Sequence, residues 1–285
     1  MKTKLNDFRF VASWFIFLTL PILHACNSAV EEITTLPISD KGLENNSGSE
    51  HSPIARYYFD ESPGSEVIID SSGLTPPVNL TIQNPTAVSW LENGLAINKS
   101  TIIISDRNQN TANRIVDALR SSNELTVELW MKPENITQSG PARIVSLSID
   151  YGNRNLTIGQ EADKYILRLR TSTSNTNGKL NTSRGEINPI TTDPGTVTRE
   201  LTHLVLTWDT ETAKASYFIN GSHAASVLLE GDFSTWSDRY PLLIANEAID
   251  GRTWLGSIYF LAIYDCAIED AEIAKKYNNG VQIKN

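Results

Sequence analysis

Hydrophobic and polar residues alternate with a period of two along short runs of the chain after residue 53. In residues 125–131 the apolar side chains fall on one face of a strand, and Glu128 and Trp130 fall on the other. Because Gly, Pro, Asn and Asp separate the runs, the pattern predicts short antiparallel strands joined by turns, including a hairpin at Asn220-Gly221. Further runs of this kind occupy residues 165–170, 203–208, 215–219, 242–245 and 256–264.

A helical spacing of apolar residues marks two segments. Residues 268–277 predict a helix that ends near Asn279-Gly280, because glycine favours the position after a helix. Residues 111–120 fit either a helix or a loop. Many strands with one terminal helix predict an all-β fold, a two-sheet antiparallel sandwich with a short C-terminal helix.

The N-terminus predicts a targeting segment. Basic residues precede an apolar run at 10–23, which is too short to span a bilayer comfortably. Residues 23–26 resemble the lipobox of bacterial lipoproteins, whose signal peptide, here residues 1–25, is removed before an acylated cysteine, here Cys26. The alternative is an ordinary secretory signal that is cleaved near Ala25.

The segment after Cys26 is polar. Residues 26–53 are rich in Ser, Thr, Asn, Glu and Gly, and they predict a flexible tether to a domain at 54–280, followed by a tail at 281–285. Glu31 and Glu32 resemble the acidic stretch that directs some lipoproteins outward. We therefore expect a protein held by a lipid anchor at the bacterial outer membrane or cell surface.

Composition excludes some functions. The chain of 285 residues is 40% hydrophobic and carries a net charge of −9, which argues against a nucleic-acid partner because no basic stripe is present. Only two cysteines occur. If Cys26 is acylated, Cys266 has no partner for an intrachain disulfide, and we expect it to be a packed thiol.

Five motifs follow one another in an ordered series. They are residues 58–64 with 70–73, 124–133, 140–148, 202–209 with 217–221, and 254–264 with 267–273. Together they resemble the laminin-G-like domains of the concanavalin-A-like kind, over about residues 54–280. The resemblance implies a curved jelly-roll sandwich whose concave face and rim loops bind sugars or proteins.

Some members of that family also bind calcium through an acidic residue in the last strand. The matching residues 258–264 carry no carboxylate, and calcium needs oxygen ligands. We therefore expect no metal and no cofactor. Calcium near the acidic residues Asp60, Glu61 and Asp70 is the alternative.

No catalytic residues are assigned. Sugar-cleaving relatives of the sandwich use a row of carboxylates on one strand. Here Glu161 and Asp163 lack a third acid, the acids at 269–272 fall on the terminal helix, and Glu128 stands alone on its strand. The sequence therefore predicts a protein that is not an enzyme, with a glycoside hydrolase of unrecognised site as the least favoured alternative.

Candidate binding residues come from the faces that point away from the core. Arg168 and Arg170 oppose the apolar face of their strand, as Glu128 and Trp130 do on theirs. Together the four side chains predict a polar groove that binds a ligand. The alternative is a row of ion pairs within a sheet, with Trp130 as a packing residue.

Loops supply the other candidates. Trp236, within residues 232–238, offers an aromatic face on which a sugar could stack, unless it caps the core. Tyr151, Asn153 and Arg154 combine an aromatic ring, an amide and a guanidinium in one turn, which suits a hydroxyl-rich ligand. The alternative is that they simply form the turn.

The leading hypothesis is a surface-anchored recognition module that binds carbohydrate. The alternative is a structural or accessory subunit that binds another protein of the cell envelope. The partners expected are thus a glycan or an envelope protein, together with a membrane through the lipid anchor.

Overall fold

The structure, a computed structural model, describes residues 51–175, 178, 180–182, 185–187 and 190–281. The predicted signal peptide at 1–25, Cys26 and nearly all of the predicted tether lie outside the described residues. The described residues thus cover most of the domain predicted at 54–280.

Strands dominate the described part of the chain, with two helices, α1 (Asn113–Ser122) and α2 (Asp270–Asn279), and a 3-10 turn at Pro85–Ala87. The strands are β1 (Ala55–Tyr57), β2 (Val67–Ile68), β3 (Leu80–Ile82), β4 (Val88–Leu91), β5 (Gly94–Ile97), β6 (Ile103–Ser105), β7 (Leu125–Pro133), β8 (Ala142–Ser148), β9 (Arg154–Glu161), β10 (Lys164–Leu169), β11 (Leu180–Thr182), β12 (Gly185–Ile187), β13 (Ile190–Thr191), β14 (Thr202–Asp209), β15 (Lys214–Ile219), β16 (Ser222–Leu228), β17 (Leu242–Ile244) and β18 (Gly256–Tyr264).

Two antiparallel sheets of eight strands form the fold. Sheet A has the order β16-β15-β14-β7-β18-β5-β4, and β1 also pairs with β18. Sheet B has the order β13-β10-β9-β8-β17-β6-β3-β2, while β11 and β12 form a separate pair. The predicted all-β, two-sheet antiparallel sandwich with a short C-terminal helix is confirmed.

The hydrophobic core joins the inner faces of the two sheets. Leu129 of β7 in sheet A and Leu167 of β10 in sheet B are both fully buried in it. Trp208 and Trp254 also lie in this core. A one-residue slip of a central strand would turn its inward side chains out of this core, so burial fixes the register.

Local signals located several elements correctly. The hairpin between β15 and β16 turns at Asn220 and Gly221, whose φ angles of 50° and 75° are the positive values that this turn needs. Most of residues 111–120, which fitted a helix or a loop, lie in α1, because Ile115, Val116 and Leu119 are buried in the core on one side of a helix. The C-terminal helix begins at Asp270, two residues later than predicted.

Candidate functional site

The outer face of sheet A is covered by helix α2. Trp130 of β7, Phe218 of β15 and Phe260 of β18 point away from the core and are nearly fully buried. Ile273 of α2 and Cys266 join the same cluster. Cys266 is 2% exposed, as expected for a packed thiol. The centre of this face is thus covered by the protein itself, while a cleft of about 490 Å³ remains between β14, β15 and residues 267–271.

Beneath α2 lies a buried network centred on Glu128, which is 1% exposed. His203 Nε2 donates to Glu128 Oε1 at 3.1 Å, and the Tyr264 hydroxyl donates to Oε2 at 2.8 Å. Lys276 Nζ of α2 lies 3.4 Å from the same Oε2. Burial acts to raise the pKa of Glu128, but the His203 hydrogen bond and the Lys276 charge outweigh burial and lower that pKa overall. Glu128 therefore anchors the helix as a carboxylate.

An aromatic stack closes this network toward the surface. The rings of Trp130 and His203 lie 4.7 Å apart, and Tyr277 of α2 stacks at 5.9 Å from Trp130. The predicted groove that combines Glu128 and Trp130 with Arg168 and Arg170 is therefore wrong. The first two lie under α2 on sheet A, whereas the arginines lie on and just after β10 of sheet B.

Trp236 is also inside the protein. It is 1% exposed, its ring packs 4.3 Å from that of Phe233, and its Nε1 donates to the carbonyl of Arg170 at 2.6 Å. The alternative, a tryptophan that caps the core, describes it correctly. Trp236 offers no exposed face for a sugar to stack on.

Sheet B carries a cross-strand row on its outer face. Along this row Arg168 pairs with Thr157, and Thr157 pairs with Ser146. Ser146 in turn pairs with Leu243, and Leu243 pairs with Ile104. The polar part of the row thus lies on β8, β9 and β10. At the far end lies a cleft of about 550 Å³ lined by Thr81, Gln83, Ile104, Ser105, Asp106, Arg107 and Asn108.

Three arginines on neighbouring strands, which we call the arginine cluster, are close enough for their charges to interact: Arg143 of β8, Arg154 of β9 and Arg168 of β10. Arg143 is 2% exposed, and its Nε donates to Glu247 Oε2 at 3.2 Å. Ser148 donates to the other oxygen of Glu247 at 2.6 Å. Glu247, which is fully buried, therefore neutralises Arg143 in particular.

Arg154 is less well compensated than Arg143. It is 1% exposed, and its Nη2 donates to the carbonyl of Tyr151. Its Nε and Nη1 are buried without a hydrogen-bond partner. Burial, and then the charges of Arg143 and Arg168, lower the pKa of Arg154 to about 9. The side chain thus stays cationic at neutral pH in a place that disfavours the cation.

The rim above Arg154 is more open. Tyr151 is 39% exposed, its ring lies 4.7 Å from the Arg252 guanidinium, and its hydroxyl donates to the carbonyl of Asp250 at 2.5 Å. Asn153 donates from its side chain to both oxygens of Asp150, at 3.1 and 2.9 Å. Asn153 thus holds the turn, while Tyr151 joins it to the loop after β17.

Of the eight predicted binding residues, the structure brings Tyr151, Asn153, Arg154 and Arg168 to one region. Arg170 donates its backbone N–H to the Asn155 carbonyl and is half-buried at the end of the same strand. Sequence reasoning missed Arg143 and Glu247. A guanidinium among the apolar residues of 142–148 was the available signal for Arg143, whereas nothing in the sequence pairs it with a carboxylate 104 residues away.

Asp70, one of the acidic residues proposed as calcium ligands, does not fit that role. Its Oδ1 accepts from the backbone N–H groups of Arg56 and Ser72, and its Oδ2 accepts from Val78 and from Arg114 at 2.8 Å. A carboxylate that is saturated by donors has no lone pair left for a cation. Across the residues that the structure describes, no group of three or more His, Cys, Asp or Glu side chains is arranged to hold a metal ion.

Neither α1 nor α2, the helices of the described part of the chain, has the length and apolar character that crossing a membrane requires.

Comparison with known proteins supports the fold. A laminin-G family model, described as the concanavalin A-like lectin/glucanases superfamily, matches residues 105–274. A sequence search against curated proteins gives no significant match.

Solved structures share the fold at low sequence identity. The binding domain of botulinum neurotoxin DC in complex with rat synaptotagmin II aligns with a TM-score of 0.54 and 12% identity, over 80% of this chain and 51% of that chain. A structure of botulinum neurotoxin type C, a toxin described as depending on two ganglioside molecules for cell entry, aligns with a TM-score of 0.52 and 12% identity. The alignment covers 80% of this chain and 51% of that chain. Trypanosoma rangeli sialidase in complex with the inhibitor DANA aligns at 0.52 and 11%, over 79% and 32%. The alignment thus spans about half the length of the neurotoxin chains, and these identities show the fold alone.

Proposed function

Because this chain belongs to the concanavalin A-like lectin/glucanase superfamily, we propose that it is a carbohydrate-recognition module without catalytic activity. Its binding region is the outer face of sheet B at the arginine cluster, with the β8–β9 turn as the rim. A lipid anchor at Cys26 would present this module at the cell surface.

One observation carries the proposal: Arg154 is buried with two guanidinium nitrogens unbonded, and its Nη2 donates to the backbone carbonyl of Tyr151, whose side chain is 39% exposed. Buried donors in native proteins are almost always satisfied, and a hydrogen-bond acceptor of a ligand would complete the guanidinium of Arg154. Other buried donors, such as Trp130 Nε1 and His203 Nδ1, are also unbonded in the described residues. Sugar recognition relies on such polar donors beside aromatic rings.

The buried network on sheet A does not support catalysis there. Helix α2 covers the centre of the outer face of sheet A, and the contacts of Glu128 are with His203, Tyr264 and Lys276, none of which is a carboxylate. A glycosidase needs two carboxyl groups flanking the scissile bond. Glu128 is therefore better explained as a structural residue than as a nucleophile.

The structural neighbours point in the same direction. The neurotoxin type C structure concerns an interaction with two ganglioside molecules, which are glycan-bearing lipids, and the sialidase is in complex with the inhibitor DANA. A second candidate function, binding of an envelope protein, is favoured by the neurotoxin DC domain, which is bound to a protein. Both functions would use a surface of the same fold.

A glycan panel tests the proposal. Purified full-length protein should bind at least one glycan, and Arg154→Gln should weaken that binding about tenfold or more, because a charge-assisted hydrogen bond is lost. Arg199→Gln, which alters an exposed arginine just before β14 of sheet A, is the matched control and should bind like the wild type. Absence of glycan binding, with an envelope protein co-purifying instead, would favour the second candidate.

A further inference from the structure

The cleft of about 490 Å³ on the outer face of sheet A lies beside the N-terminal end of α2. Strands β14 and β15 form its floor, and residues 267–271 form a wall. We call it the α2 cleft. Small-ligand sites usually have volumes of about 300–1,000 Å³. The α2 cleft is therefore large enough for a small ligand or for a side chain of a partner.

Two buried hydroxyl groups lie on the floor of the α2 cleft. Thr207 of β14 and Ser216 of β15 pair directly across the sheet and are 6% and 5% exposed. Both side chains line the cleft, and neither makes a hydrogen bond to another of the residues that the structure describes. Exposed residues, among them Lys214 and Glu269, also line the cleft, so it opens to solvent. A ligand can therefore reach the two hydroxyls and supply the partner that buried polar groups require.

The wall of the α2 cleft is fixed to the sheet by hydrogen bonds. The hydroxyl of Thr126 of β7 donates to the Cys266 carbonyl at 2.7 Å and accepts the N–H of Ile268 at 3.0 Å. Glu124 accepts the N–H of Ala267 at 3.1 Å. The cleft is thus preformed, and binding would require little ordering of the protein.

Negative charge dominates around the α2 cleft. Asp209, Glu269 and Asp270 line it. Lys214 carries the only positive charge among the described residues that do so. Nearby, burial raises the pKa of Glu124, and the charges of three neighbouring acids, Asp209 among them, raise that pKa further. The N-terminus of α2 contributes a partial positive charge of only about half a unit. The local field therefore attracts a cation and repels an anion.

We propose that the α2 cleft binds a primary ammonium group, such as that of a lysine side chain or of a free alkylamine. An ammonium has three N–H donors and no acceptor, so it matches the hydroxyl oxygens of Thr207 and Ser216 and the carboxylates beside them. Two apolar side chains that line the cleft, Phe218 and Ile268, would contact the methylene chain. The inference goes beyond carbohydrate recognition, because this cleft lies on sheet A and the glycan site is proposed on sheet B.

Matched small molecules test the inference on the full-length wild-type protein. One pair is a blocked pentapeptide with a single lysine among glycines and the same peptide with its lysine Nε acetylated. The other pair is cadaverine and pentanediol, and inorganic phosphate serves as the anionic probe. The charged member of at least one pair should bind about tenfold or more tightly than the neutral member, measured by NMR titration, because its hydrogen bonds to the carboxylates are charge-assisted.

Variants then locate the binding. Thr207→Val, which is close in shape, and Ser216→Ala should each weaken binding of the charged probe about threefold or more, because each removes an acceptor from the floor. Ser226→Ala is the matched control and should bind like the wild type. Ser226 pairs with Ser216 but is exposed, and it is not among the described residues that line the cleft. Glu269→Gln should also weaken binding, whereas Glu92→Gln, in the exposed turn between β4 and β5, should not.

Each outcome decides the inference. A preference for the charged member of either pair supports it, and the pair that shows the preference identifies the source of the ammonium. Equal binding within both pairs, binding of phosphate instead of ammonium, no binding of a charged probe, or unchanged binding by folded Thr207→Val and Ser216→Ala overturns it. Thermal melts identify the folded variants, and the wild-type titrations decide the question where a variant does not fold. The glycan panel is measured separately, so failure of this inference leaves the proposed carbohydrate recognition standing.

Discussion

Replacing Glu128 by Gln should destabilise the protein strongly. The substitution is nearly isosteric, but it removes the negative charge at the centre of a buried network. In the wild type the carboxylate lies 3.1 Å from His203 Nε2 and 3.4 Å from Lys276 Nζ. The variant keeps the shape of the residue but leaves the Lys276 ammonium, which is 8% exposed, without its counter-charge.

The magnitude follows from these contacts. Removing one partner of a buried ion pair costs about 3–5 kcal/mol. Lys276 keeps its contact with the Tyr264 hydroxyl at 3.1 Å, so we expect the lower end, about 3 kcal/mol. At about 2–4 °C per kcal/mol for a domain of this size, Tm should fall by about 6–12 °C.

Calorimetry and urea unfolding of the wild type and variant measure this loss. Glu211→Gln, which alters an exposed acid in the turn between β14 and β15, is the control and should stay within about 0.5 kcal/mol of the wild type. Lys276→Met in the Glu128→Gln background should recover part of the loss, because it removes the unpaired cation. A Tm for Glu128→Gln within about 2 °C of the wild type would refute the structural role assigned to Glu128.

The pH dependence gives an independent measurement of the same network. The pKa of Glu128 is lower in the folded protein than the ordinary value of 4.5, so the folded state binds this proton less readily than the unfolded state. Its contribution to stability is therefore complete above pH 4.5 and is lost as the pH falls through the lower folded-state pKa. The stability difference between wild type and Glu128→Gln should shrink over that acidic range.

Two further predictions concern Trp236 and the N-terminus. Trp236→Ala should cost about 3–5 kcal/mol by opening a cavity in the core, yet glycan affinity should stay within about twofold wherever the variant remains folded; a selective loss of binding with unchanged Tm would contradict the buried position of its ring. Cys26→Ala should abolish incorporation of a labelled fatty acid and release the protein from the membrane fraction in a bacterial host, whereas Cys266→Ala should leave labelling intact; continued labelling of Cys26→Ala would exclude lipidation at this cysteine.

Much of the fold could be predicted because its signals are local. The period-two pattern of residues 125–131 gave both the strand β7 and the face that enters the core. The Asn220-Gly221 dipeptide gave a hairpin, since these residue types tolerate the positive φ angles that the turn needs. The late helix was visible from its apolar spacing and its terminal glycine.

The candidate site was only partly visible for a physical reason. Alternation shows that Glu128 and Arg168 both point away from the core, but it does not show which sheet each strand joins, because pairing partners are distant in sequence. The burial of Trp236 was not visible for the same reason. Its ring packs on Phe233 and its Nε1 bonds to the carbonyl of Arg170, a contact between segments that come together only in the folded sandwich.

The sequence by itself therefore determined the class of fold, the strands and their inward faces, and a set of polar residues from which a binding site could be drawn. Only the tertiary structure decided that α2 covers the outer face of sheet A and that Arg143 and Glu247 meet beside Arg154. Short-range patterns encode the direction of a side chain from its strand, whereas burial and charge compensation arise from contacts between segments that are far apart in the chain.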